Sequence, residues 1–107
     1  MDFIIVLAKI TPKKGCRDTI VEISQELIET TLTEEGNIDY QLLQSTDDDT
    51  LTFVEKWESP EALKKHMASP HFQDFGAESG DFVENMEIQV LSADELNHPT
   101  LKDGGNS

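Results

Sequence analysis

Residues Glu55–Phe75 read EKWESPEALKKHMASPHFQDF, and the pattern within them decides the fold. The segment opens on the end of an aromatic strand, where Phe53, Glu55 and Trp57 alternate onto one face. Ser59-Pro60-Glu61 then supplies an N-cap, a proline suited to the first helical position and an acid for the first turn. Ser69-Pro70 repeats the cap-and-proline pair. Pro70 has no N–H to donate and its ring collides with the preceding turn, so the spacing predicts a helix broken near Met67–Ser69. Gly76 and Gly80 are the expected stops of its second piece.

The rest of the chain completes the order β-α-β-β-α-β. Phe3–Ile10 is an apolar, β-branched run closed by Thr11-Pro12 and Gly15, and it reads as a strand buried on both faces. From Cys16 to about Glu35, Ile20, Ile23, Leu27, Ile28 and Leu32 recur at helical steps opposite Glu22, Glu26 and Glu29, with Gly36-Asn37 as the stop. Ile38–Ser45 and Leu51–Trp57 flank a polar Thr46–Thr50 loop, which is a hairpin pattern. The three aspartates in that loop lack the spacing, glycine and distal Glu of a calcium loop, and they read as a solvated turn. Phe82–Leu91 is the last strand, with Met86, Ile88 and Val90 on one side.

The predicted fold is therefore α+β: a ferredoxin-like split βαβ with one antiparallel sheet and its helices on one face. It occupies residues 1–95, and residues 96–107 form a polar tail expected to fray unless a partner holds it. Val54 and Leu43 fall on the sheet face opposite Tyr40 and Trp57. An apolar second face points to a homodimer through the sheet, a dimeric α/β barrel.

Composition narrows the function. Among 107 residues, 22 acids against 8 bases leave a net charge of −14, which repels phosphate backbones and anionic lipid, so neither nucleic acid nor membrane is an expected partner. Cys16 is the one cysteine, which rules out an intramolecular disulfide and gives no base-paired nucleophile. The run after Met1 has no basic leader and is too short for a membrane span, so a cytoplasmic location is expected. There is no G-x-S-x-G, phosphate-cradling loop or dinucleotide fingerprint.

Helical spacing places His66 with Leu63 and Met67 among core positions. Glu55 lies inward near the second helix if the Phe53–Trp57 face meets the helices, and otherwise caps the pocket or pairs with Lys56 or Lys64 at the surface. A buried Glu beside a His can move a proton, because the imidazole accepts it and the carboxylate stabilises the cation. A lone His on an apolar face reads first as a packed core histidine. Tyr40 and Trp57 could supply flat walls for a planar ligand, although ordinary core is the first reading of both. His71 falls in a first helical turn and His98 in the tail. The three histidines show no regular ligand spacing, so no metal site is expected.

Leu32–Gln44, LTEEGNIDYQLLQ, with Phe53–Phe75 resembles the antibiotic biosynthesis monooxygenase (ABM) family, nearest its quinol-monooxygenase branch. The shared pattern is Glu34-Glu35-Gly36 near Tyr40, then Glu55, Trp57 and Ser59, then His66 nine residues after the Trp, then Ser69-Pro70-His71. The resemblance implies a dimer with a cavity between sheet and helices, oxidising a small quinol or related aromatic with dioxygen and without a cofactor. It implies that His66 is the base, Glu55 its orienting carboxylate, and Tyr40, Trp57, Phe53, Met67, Phe72 and His71 the substrate wall. At the positions where the haem-degrading branch carries its Asn, Trp and His, this chain has roughly Ala8, His66 and Gly76, so haem is not implied. A non-catalytic dimeric binding or stress-response module and an isomerase of the phosphorylated autoinducer-2 sugar are the alternatives.

Overall fold

The computed structural model describes residues 2–96. Four strands form one antiparallel sheet in the order β2-β3-β1-β4, where β1 is Asp2–Pro12, β2 Asn37–Gln44, β3 Leu51–Trp57 and β4 Val83–Asp94. Three helices, α1 (Arg17–Thr31), α2 (Pro60–Met67) and α3 (Pro70–Ser79), complete the ferredoxin-like arrangement, and a short 3₁₀ turn at Gly80–Phe82 leads into β4. Among the described residues no helix is long and apolar enough to cross a membrane.

Burial in β3 alternates strictly, with Leu51, Phe53, Glu55 and Trp57 turned into the core. Residues paired across neighbouring strands share a face, so the registers define rows beneath the helices. One row runs Val90–Val6–Glu55–Tyr40, and the next runs Ile88–Ala8–Phe53–Leu42. Ile10, Ile20, Leu51 and Trp57 are fully shielded from solvent. Truncating Trp57 to Ala in such a core costs about 3–5 kcal/mol.

Each helix ends as local chemistry requires. Ser59 Oγ accepts from Ala62 N at 3.1 Å and Ser69 Oγ accepts from Phe72 N at 3.3 Å, with a proline opening each helix. The break around Ser69 therefore separates two independently capped helices. On α1 the buried stripe is Ile20, Ser24, Leu27 and Thr31. Ser24 is tolerated inside because its hydroxyl donates to Val21 O at 2.7 Å.

Three details depart from the sequence pattern. Leu32 is 53% exposed because the helix has already ended there. Gly76 lies inside α3 instead of stopping it, and Gly80 is the actual end. Strand β4 runs on to Asp94, since Ser92, Ala93 and Asp94 find backbone partners opposite Ile4, Phe3 and Asp2 whatever their side chains. Beyond Leu96 the expected frayed tail, His98 included, lies outside the described residues.

Candidate active site

The helix layer covers β2, β3 and β1 but leaves β4 open. Met86, Ile88 and Val90 point to the helix side of the sheet and remain 41%, 61% and 55% exposed. Between this strand and α2–α3 lies a cavity of about 400 Å³, within the range of small-molecule sites. Ala8 provides a small residue in its floor, and Gly76 and Gly80 face it without side chains. The walls are mainly apolar, from Val6, Leu27, Leu63, Phe75 and Val83.

Tyr40, Phe53, Glu55, His66, Met67 and Phe72 all line this cavity. Trp57 and His71 do not. Trp57 is fully buried against the imidazole of His66, with ring centroids 4.7 Å apart, so it forms a backing layer and not a wall. His71 lies on a separate, more polar pocket of about 260 Å³ with Glu26, Asp74 and Glu78.

The proton-bearing groups are arranged differently from the pattern implied by the resemblance. Glu55 does not orient His66. Its Oε1 accepts instead from Trp57 Nε1 at 3.0 Å, two residues along the same strand face. The carboxylate bonded to His66 is Glu34, whose Oε2 lies 2.7 Å from His66 Nδ1 and 2.7 Å from His71 Nε2. Glu34 reaches that point because the chain turns sharply after α1. Glu34 N donates to Thr31 O, Gly36 adopts φ +88°, and Glu58 N donates to Gly36 O at 2.8 Å, pinning the turn above the start of α2.

These contacts fix the tautomers. A carboxylate only accepts, so His66 Nδ1 must carry a hydrogen, and a neutral His66 has its lone pair on Nε2. That Nε2 is buried and has no hydrogen-bond partner among the described residues. Ser69 directs its single hydroxyl hydrogen to His66 O at 2.6 Å, so Ser69 Oγ accepts from His71 Nε2 at 3.1 Å. His71 Nε2–H is thereby shared between Ser69 and Glu34.

Aromatic rings enclose the imidazole: Tyr40 at 5.2 Å and Phe72 at 5.0 Å, besides Trp57. This burial pushes the His66 pKa below its ordinary value, against the opposing pull of Glu34. Burial likewise raises the Glu55 carboxyl to about 7, with the Trp57 hydrogen bond working against it. The Tyr40 phenol is driven well above its usual range by burial and by the Glu55 and Glu34 carboxylates. At neutral pH the site thus holds a neutral imidazole, a carboxyl that titrates near 7 and a phenol that stays protonated.

Comparison with known proteins agrees with this architecture. A family model described as "Antibiotic biosynthesis monooxygenase" matches residues 3–78. The chain is 32% identical over 76 residues to "Putative monooxygenase YcnE" of Bacillus subtilis, covering 70% of this chain and 78% of that protein. It is 30% identical over 78 residues to "Putative monooxygenase Rv0793" of Mycobacterium tuberculosis, covering 73% and 77%. Among solved structures, a conserved protein from Methanosarcina mazei Go1 superposes with a TM-score of 0.81 at 31% identity, over 85% of this chain and 92% of that one.

Proposed function

Because the chain belongs to the antibiotic biosynthesis monooxygenase family, we propose that it oxidises a small quinol or related aromatic with dioxygen, the substrate itself supplying the electrons. The observation that carries this reading is a single imidazole in an apolar cavity, with Nδ1 held by Glu34 and Nε2 unpartnered. Family membership and the two monooxygenase-named relatives support the reaction class, and the cavity supports an aromatic substrate.

In this mechanism His66 Nε2 takes the proton of a substrate hydroxyl, and Glu34 stabilises the imidazolium that forms. The electron-rich anion passes one electron to dioxygen, and the resulting radical pair joins to form a C–O bond. The bound peroxide recovers the proton from His66, and loss of water leaves a new carbonyl. One oxygen atom enters the product and the other leaves as water. Glu55, neutral below about pH 7, has a hydrogen to donate to a substrate oxygen while its Oε1 stays on Trp57.

A phosphosugar reading gains nothing from the cavity, whose lining among the described residues includes no lysine or arginine. A purely structural role for His66 and Glu55 is disfavoured, because a ligand-sized cavity reaches both. Oxygen uptake measured across a panel of quinols is the test. Turnover above autoxidation that disappears in His66→Ala supports the assignment, and turnover unchanged in that variant removes it.

A further inference from the structure

We propose that Glu34, His66 and His71 also bind one zinc-like divalent transition-metal ion, in place of the hydrogens that now bridge them. Glu34 Oε2, His66 Nδ1 and His71 Nε2 all lie within 4.8 Å of one another. Two imidazole nitrogens and one carboxylate oxygen are a donor set that suits zinc and its first-row neighbours, whereas magnesium and calcium prefer all-oxygen shells. The three side chains come from separate elements: the turn after α1, the last turn of α2 and the first turn of α3. The cluster is therefore a product of the tertiary fold and not of sequence spacing.

The geometry needs an adjustment of all three side chains. Each nitrogen now sits 2.7 Å from the Glu34 oxygen. A tetrahedral ion about 2.1 Å from each ligand holds them roughly 3.4 Å apart. Withdrawal of the Glu34 side chain by less than about 1 Å, together with closure of the two ring nitrogens, which lie within 4.8 Å of each other, gives that spacing. The side chains of Glu34 and His71 are 15% and 19% exposed, which gives the ion an entry and a fourth position for water, while that of His66 is 1% exposed. Two neutral rings and one carboxylate leave the site singly negative, in a chain of net charge −14.

A proton and a metal ion compete for the same lone pairs. With the ion on Nδ1, the single ring hydrogen of neutral His66 shifts to Nε2, so the ring as a whole neither gains nor loses a proton. Nε2 then donates and can no longer accept, so the metal-loaded form leaves His66 with no lone pair to act as a base. That consequence rests on the reading of His66 as the base. The binding itself does not.

The test uses the full-length, tag-free chain stripped with a chelator, and oxygen uptake plays no part in it. Zinc is titrated calorimetrically, and cobalt(II) is followed by visible absorption, which reports the ligand geometry. The expected result is one ion per chain with tetrahedral-type cobalt bands, undisturbed by excess magnesium. Both Glu34→Gln and His71→Ala weaken binding at least about 100-fold, the upper end of what loss of a mere supporting residue costs. His98→Ala leaves it unchanged. His71→Ala alters a partly exposed side chain, so it keeps the test decisive if Glu34→Gln fails to fold. Absence of binding at micromolar zinc, or equal affinity in the wild type and a folded His71→Ala, overturns the proposal.

Discussion

Glu34 Oε2 and His66 Nδ1 lie 2.7 Å apart although 32 residues separate them in the chain. This contact sets which nitrogen of His66 is free to accept a proton, and it is the first place to perturb the chemistry. For the proposed reaction, His66→Ala is expected to lower kcat by about 10²-fold or more, the usual contribution of a positioned general base. Glu34→Gln keeps the shape but lets the imidazole change tautomer, so kcat should fall while KM changes little. Steady-state oxygen uptake at saturating quinol distinguishes the two effects.

Glu55 makes stability depend on pH. Its folded-state pKa is raised from 4.5 to about 7, so the folded protein holds this proton more tightly than the unfolded chain does. Stability from this group is fully present below pH 4.5, falls as pH rises between 4.5 and 7, and is lost above that. The shift corresponds to about 3 kcal/mol. Glu55→Gln, which can still accept from Trp57, should remove this part of the slope. Urea denaturation at a series of pH values measures it.

Two glycines should respond in opposite directions. A Cβ on Gly36 would lie 2.5 Å from Ala62 Cβ, at a φ of +88°, so Gly36→Ala should cost about 2 kcal/mol or more. Gly76 has ordinary helical geometry, and a Cβ there meets nothing within 4 Å. Gly76→Ala should therefore stabilise by up to about 1 kcal/mol. Gly76→Leu should keep the fold but project into the cavity and raise KM severalfold. Thermal melts and quinol kinetics check the pair.

The sheet face away from the helices carries Leu43 and Leu91, 48% and 39% exposed, beside Leu7 and Val54. A homodimer covering this face is the expected state in solution. Sedimentation velocity at micromolar concentration should give twice the chain mass, and Leu43→Lys should shift it toward the monomer. A wild-type folded monomer at that concentration is the contrary result.

The fold was legible because it rests on local signals. The parity of Phe53, Glu55 and Trp57 and the two Ser-Pro caps each act within a few residues, and the strand order follows from the element order. The site was only partly legible. His66 and Glu55 could be sent inward by helix and strand periodicity, but their partners could not. Glu34 stands in a charged Glu-Glu-Gly turn, where solvation is the ordinary reading, and only the Gly36–Glu58 staple carries it over α2. Glu55 and Trp57 share a face by parity, yet that shared face does not reveal that one accepts from the other. The signal available for Glu34 was its place in the Glu34-Glu35-Gly36 pattern, which named the residue without giving it a role.

The joint at Ser69-Pro70 governs an angle as much as a length. Along an uninterrupted α-helix each residue turns about 100°, so positions five apart point roughly 140° away from each other. His66 and His71 would then look in divergent directions, and no single carboxylate could meet both. Restarting the helix at Pro70 lets two neighbouring imidazoles converge on Glu34. A substitution that fused α2 and α3 into one rod would leave His66, His71 and Glu34 all present in the chain and dissolve their meeting point.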